Sequence, residues 1–163
     1  MTPDLLSNLP SRIHMILEEG AKEGASRIAF TDEDGAEWSY RRLIDTVADV
    51  AGKMAELGVR PGDRVMVVCE NSIAAIVLMY AASRLDAWSV MTSARLSSRE
   101  IDLIKEDSSP RCVFYTHTIS SEADAHARRH GATLEVFDEI GRVKVGSLDA
   151  GTMAESVESD PAK

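Results

Sequence analysis

The sequence lacks any surplus of positive charge: 18 Lys and Arg stand against 27 Asp and Glu, giving a net charge of −9 and a pI near 4.9. An acidic chain of this kind argues against a nucleic-acid backbone or an anionic membrane surface as partner. Cysteine is nearly absent. The two present, Cys69 and Cys112, each lie in an apolar, strand-like run, and neither belongs to a Cys-x-x-Cys that would activate a thiolate. They read as buried thiols of a reducing compartment rather than as a disulfide framework. Long hydrophobic runs are missing too. The longest, residues 73–82, has ten residues, about half of the roughly 20 that span a bilayer. Met1-Thr2-Pro3-Asp4 has no basic stretch of the kind that opens a signal peptide. These absences imply a soluble, cytoplasmic protein with no transmembrane segment. What is present, 163 residues of which 44% are apolar, is enough for one domain with its own core, needing neither disulfide nor structural metal to fold.

Hydrophobic periodicity predicts the elements. Ser11 is placed to cap a helix carrying Ile13, Ile16 and Leu17 on one face, weakened or ended by Gly20 and Gly24. Residues 27–31 and 36–39 read as an antiparallel hairpin around Asp32-Glu33-Asp34-Gly35. A long amphipathic helix follows, with Leu43, Val47, Val50, Met54 and Leu57 at spacings of three and four, closed by Gly58. From there strands and helices alternate. Residues 64–69 form a continuous apolar strand of the type buried on both faces, leading through Asn71 or Ser72 as cap into a helix over 73–85. Residues 88–91, 111–116 and 133–137 read as further strands; helices are predicted after the capping-box spacing Ser97-Ser98-Arg99-Glu100 and over 119–130. The fold class that follows is α/β: a mostly parallel, doubly wound sheet flanked by helices, with an N-terminal antiparallel hairpin. Val143-Lys144-Val145 alternates like an edge strand, and residues 146–163 read as an acidic surface linker, so the division is 1–145 and 146–163.

Catalytic motifs are missing as well. No Gly-x-Gly-x-x-Gly exists, and the segment from Gly141 to Gly146 spaces two glycines like a phosphate loop but sets Ser147 where the lysine belongs. His126 and His130, four apart on a helix, could converge on a metal; with Arg128 and Arg129 beside them and no third ligand, they read as a solvated face. His117 follows a strand, where doubly wound folds often place site residues, yet it has no recognisable partner. Gly-x-Ser-x-Gly is absent, and Glu70, the only acid at the end of a central strand, reads as a solvated residue beside a helix cap. No catalytic, cofactor-binding or metal-binding residue is therefore assigned.

The order of three local signatures nevertheless resembles the N-terminal region of the AMP-forming adenylating enzymes, a superfamily of acyl-CoA synthetases, luciferase-like ligases and related adenylation domains. Trp38-Ser39-Tyr40-Arg41-Arg42-Leu43 is similar to the family's aromatic or Leu, Ser/Thr-Tyr-x-Glu-Leu. Leu57-Gly58-Val59-Arg60-Pro61-Gly62-Asp63-Arg64-Val65 is similar to its Leu-Gly-Val-x-x-Gly-Asp-Arg-Val, with Asn71-Ser72 opening the next helix. Arg95-Leu96-Ser97-Ser98-Arg99-Glu100-Ile101 resembles its Arg/His-Leu-Thr-x-x-Glu-Ile/Leu. Departures from the family fall at three places: Arg42 in place of Glu, Asp86 in place of the common Gly, and Met91-Thr92-Ser93-Ala94 in place of Pro-Leu-Asn-Pro. The resemblance covers about residues 10–137. It implies the N-terminal portion of a ligase that uses ATP, Mg and coenzyme A on a carboxylic acid, with those sites on downstream residues and no adenylating activity in these 163 residues. The partners implied are that acid, the remainder of the ligase, or a second copy meeting an exposed apolar surface. The competing expectation is a stand-alone, non-enzymatic α/β interaction module; a flavodoxin-like signalling domain lacks the acidic pocket it needs.

Overall fold

A computed structural model describes residues 9–32 and 34–157. A two-stranded antiparallel hairpin, β1 (Ile28–Thr31) and β2 (Glu37–Ser39), lies beside a five-stranded sheet of order β4-β3-β5-β7-β6. Those strands are β3 (Arg64–Cys69), β4 (Trp88–Ser93), β5 (Cys112–Tyr115), β6 (Leu134–Val136) and β7 (Val143–Val145). The helices are α1 (Met15–Lys22), α2 (Tyr40–Glu56), α3 (Ile73–Arg84), α4 (Ser98–Ser108) and α5 (Ser121–Arg129).

The sheet is wound on both faces. Alternate residues of β3 serve two cores: Val65, Val67 and Cys69 pack with Leu43, Val50 and Met54 of α2 and with Val77 and Leu78 of α3. Met66 and Val68 pack with Ile101 of α4 and Ala123 and Ala127 of α5. A central strand buried on both sides has no polar face to alternate with, which is why its sequence is continuously apolar. β3 pairs in parallel with β4 and with β5, joined by crossovers through α3 and α4 on opposite faces.

Beyond β5 the sheet turns mixed. β7 pairs antiparallel with both β5 and β6, so the strand expected at an edge is interior, and β6 takes the edge. The alternation was real but had another cause. Val143 and Val145 are buried in the α2/α3 core, while Lys144, on the opposite face, donates to Asp124 of α5 at 2.7 Å. A buried lysine stem with a paired head gives the same apolar–polar pattern as a solvated edge. The reversal between β6 and β7 uses a 3-10 turn (Asp138–Ile140) with Phe137, Gly141 and Arg142 all at positive φ.

Helix ends follow local chemistry. Ser39, Ser72, Ser97 and Ser120 each accept a backbone N–H three residues on, and Ser97 with Glu100 completes the capping box. Ser11 does not cap. Its helix begins at Met15, behind His14, and Ser11 lies outside it with its hydroxyl 3.4 Å from the Met15 sulfur. Gly20 lies inside α1 against the ring of Tyr40, and a Cβ there would fall 2.6 Å from the tyrosine Cζ. α2 ends in a Schellman motif: the Gly58 and Val59 amides donate to Ala55 and Met54 carbonyls at 2.9 and 3.0 Å, with Gly58 at φ +95.

These ends set a contrast in stability. Ser97→Ala is expected to lower the free energy of unfolding by about 1 kcal/mol, whereas Ser11→Ala changes it by less than about 0.5 kcal/mol. Urea denaturation of the two variants decides, and equal losses would contradict the cap assignment.

Candidate functional site at the two ends of the sheet

The parallel strands give the sheet a base, where β3, β4 and β5 begin, and a carboxyl edge, where they end. The base is knotted by one acid. Asp63, fully buried, accepts from the Arg60 backbone amide at 2.7 Å and from the Arg60 guanidinium at 2.8 and 3.1 Å. Its own carbonyl accepts the Trp88 amide of β4 at 2.8 Å, and Arg111, preceding β5, brings Nε to 3.9 Å. The chain reaches this geometry through Pro61 and through Gly62 at φ +80, a conformation a glycine adopts without strain. Residues 146–157 then cross the base. Arg111 donates to Asp149 O at 2.6 Å, Arg60 to Thr152 O at 2.9 Å, the Glu155 amide to Gly62 O at 2.9 Å, and Arg64 pairs with the Glu155 carboxylate. This end has committed its charges to holding strands together.

The carboxyl edge is less committed. A groove of about 530 Å3 is lined by Cys69, Glu70, Ser72, Ile76, Met91 and Arg95. Glu70 lies beside the Ser72 cap, partly exposed, and accepts from Arg95 Nε at 3.1 Å across the β3 and β4 ends. Ser72 Oγ already accepts from the Ala75 amide, so it is the Ser72 hydroxyl, not Asn71, that caps α3. Where β5 ends, Thr116 Oγ1 and His117 Nδ1 are buried with no hydrogen-bond partner. The other ring nitrogen of His117 lies 3.0 Å from Glu135 Oε1, a partner supplied by β6 that no local spacing announces.

His126 and His130 do not form a solvated face. His126 is buried, with Nε2 3.2 Å from the carbonyls of Ala94 and Leu96, and so ties α5 to the loop before α4. His130 bridges Tyr115 Oη, at 2.5 Å from Nδ1, and Asp102 Oδ1, at 2.9 Å from Nε2. The two imidazoles are spent on different partners, and among the described residues no three His, Cys, Asp or Glu side chains gather to hold a metal. The sequence hid this because both partners of His130 come from other elements. Burial raises the Tyr115 phenol well above its ordinary value. Asp102 is held below its ordinary value by its bonds to Arg129 and His130.

The thiols are quiet. Both are free and buried; burial, with Glu70 nearby, pushes Cys69 up to about 11, and burial pushes Cys112 up to about 12. The Gly141 to Gly146 segment is the end of the 3-10 turn and strand β7 rather than a loop open to phosphate.

The β3–α3 turn, Glu70-Asn71-Ser72, has no glycine to let a phosphate reach the backbone, and the Ala75 amide of its helix is already capped by Ser72. The arginine at that edge is neutralised by Glu70. This turn therefore offers a nucleotide phosphate neither an open backbone nor an unpaired arginine.

Comparison with known proteins agrees with this architecture. Residues 17–162 match the family described as AMP-binding enzyme. The chain is 26% identical over 159 residues to the 4-hydroxybenzoate–CoA/benzoate–CoA ligase of Rhodopseudomonas palustris, covering 86% of this chain and 29% of that protein. It is 34% identical over 117 residues to the putative acyl–CoA ligase YdaB of Bacillus subtilis, covering 72% of this chain and 20% of that protein. Among solved structures, the N-terminal domain of FACL13 from Mycobacterium tuberculosis superimposes with a TM-score of 0.60 at 26% identity, over 64% of this chain and 27% of that one. The chain belongs to the AMP-binding enzyme family, and its fold is that of the N-terminal domains of adenylating enzymes. It spans less than a third of the length of each of these relatives.

Two outcomes follow from the site. Asp63→Ala strips the Arg60 amide and guanidinium of their acceptor inside the fold, and is expected to destabilise the protein by about 2 kcal/mol in urea. A loss below about 0.5 kcal/mol would show that the base does not depend on it. His130 has its pKa lowered from 6.5, chiefly by burial, with the Asp102 bond opposing and the nearby Arg129 and Lys105 charges adding to the lowering. The unfolded chain therefore takes up a proton near pH 6.5 that the folded state accepts only at lower pH, so this group's contribution to stability is complete above 6.5 and is lost as pH falls. His14, also lowered by burial, acts in the same direction. The urea midpoint should fall between about pH 7 and about pH 5.5, and His130→Gln should flatten part of that slope. A midpoint that rises on acidification contradicts the assignment.

Proposed function

We propose that this chain is the N-terminal, structural portion of an ATP-dependent acid–thiol ligase. The complete enzyme joins a carboxylic acid to AMP with release of pyrophosphate and passes the acyl group to the thiol of coenzyme A. The observation that carries this reading is the family match over residues 17–162, beside relatives named as CoA ligases. An aryl or fatty acid is the substrate class this reading favours, supported by one relative named as a benzoate ligase and another named as the long-chain-fatty-acid–CoA ligase FadD13 of Mycobacterium tuberculosis, 32% identical over 99 residues that make up 61% of this chain and 19% of that protein. ATP, Mg and coenzyme A are held by the remainder of the enzyme, which is this chain's principal partner. The free, buried thiols Cys69 and Cys112 suit the reducing cytoplasm. In this arrangement residues 1–145 are the α/β subdomain, and the acidic segment 146–163 leads from the sheet towards the nucleotide-binding part.

The role of these residues is to present a finished sheet. The base, closed by Asp63 and its arginines, needs nothing further. The carboxyl edge, where the groove at Cys69, Glu70 and Met91 opens, is the face left for the remainder of the ligase to cover.

The 163 residues alone are expected to give no carboxylate-dependent exchange of labelled pyrophosphate into ATP with benzoate or a long-chain fatty acid. Exchange by this chain would overturn the structural role. A reading frame that continues into a Thr-Ser-Gly-Thr-Thr-Gly-like loop supports the ligase; a stop codon at that point favours the interaction module.

A further inference from the structure

The two edges of the five-stranded sheet are protected very differently. β6 is three residues long, and its central Glu135 is paired with His117 and Arg142. Short length and charge are the usual ways of keeping an edge from pairing with another chain. β4 has neither. It runs six residues, Trp88-Ser89-Val90-Met91-Thr92-Ser93, with no charge, no proline and no bulge in its register with β3. Trp88 is 58% exposed and Met91 40% exposed, one on each face of the sheet. Among the described residues only β3 pairs with it, so its outer backbone groups face away from the sheet.

The ends of this strand are complementary to each other. Asp86 lies two residues before it and Arg95 two residues after it. A two-fold axis perpendicular to the sheet would pair two copies antiparallel. Full overlap sets Trp88 opposite the partner's Ser93, Ser89 opposite the partner's Thr92, and Val90 opposite the partner's Met91. The same register brings the partner's Arg95 to Asp86. Asp86 stands on a groove of about 470 Å3 lined also by Arg12, Trp88, Ser156 and Val157, so the receiving end is concave, with Asp86 already paired there to Arg12. Arg95 is 79% exposed and Asp86 40% exposed, so each leaves room for a second, opposite charge beside its present pairing with Glu70 or Arg12.

We infer that β4 is a homodimerisation edge: two copies of this chain pair antiparallel through Trp88–Ser93, making one ten-stranded sheet closed at each end by an Asp86–Arg95 ion pair. This does not rest on the ligase reading and stands or falls separately from it. A six-residue ladder is a small interface, so the association is weak and concentration-dependent.

Sedimentation velocity on the 163-residue chain, from about 10 μM to about 1 mM, should show a monomer–dimer equilibrium. Met91→Lys places a charge on the edge and should leave a monomer over the whole range with an unchanged circular dichroism spectrum; should it fail to fold, Ser93→Lys at the exposed end of the strand makes the same test. Arg95→Glu should weaken the dimer at least tenfold, and combining it with Asp86→Arg should restore most of that loss. Spin labels at Ser93 lie five residues apart along the ladder and should couple at about 17 Å. A chain that is monomeric throughout, a dimer indifferent to both lysine variants, or labels at another separation would each overturn the proposal; the first of these would leave the edge to another segment of a longer polypeptide.

Discussion

A single buried carboxylate organises the molecule. Asp63 sits at the first turn of the sheet, where α2 has just ended and β3 is about to begin. A charge in that position is tolerated only if every lone pair finds a donor. Arg60 answers with its amide and with two guanidinium nitrogens, from three residues back, which folds the intervening Pro61 and Gly62 into one fixed turn. The turn sets the start of β3; the Asp63 carbonyl, taking the Trp88 amide, sets the start of β4; and Arg111, which donates to Gly58 O at 3.3 Å, fixes where β5 enters. Parallel strands have no hairpin to fix their register, and here the register is set at their starts.

That constraint explains which parts of the sequence were legible. Leu57 to Val65 could be read because its chemistry is local, a helix stop at Gly58 and a turn at Pro61 and Gly62, although the pairing of Asp63 with Arg60 inside that turn emerged only from the structure. The two-faced burial of β3 and the capping box at Ser97 were legible for the same reason. Asp86, where the resembling family commonly has Gly, occupies φ 54, and its backbone carbonyl accepts the Gly62 amide at 2.8 Å. An aspartate tolerates that conformation better than most side chains, so the departure changes the residue without changing the turn.

What could not be read depends on partners remote in sequence. His130 reads as a surface residue until Tyr115 and Asp102 are placed on either side of it. Lys144 reads as an edge residue until α5 brings Asp124 over it, and β7 is then interior. Ser11 satisfies the composition of a cap, but the preceding turn is already used to set Arg12 against Asp86 at 2.5 Å, so the helix starts later. Periodicity reports whether a face is apolar, and the same period arises from water or from a buried ion pair.

The molecule therefore has a closed base, with its arginines paired to Asp63, Glu155 and main-chain carbonyls, and an opposite edge that still holds unpaired polar atoms. Native-state hydrogen exchange tests the primacy of the base most directly. The Arg60 and Trp88 amides, bonded to the Asp63 carboxylate and carbonyl, should exchange with the same opening free energy as Val67 in the middle of β3, that is, only by global unfolding. If they exchange as fast as Gly35 in the hairpin turn while Val67 stays protected, the sheet does not depend on Asp63.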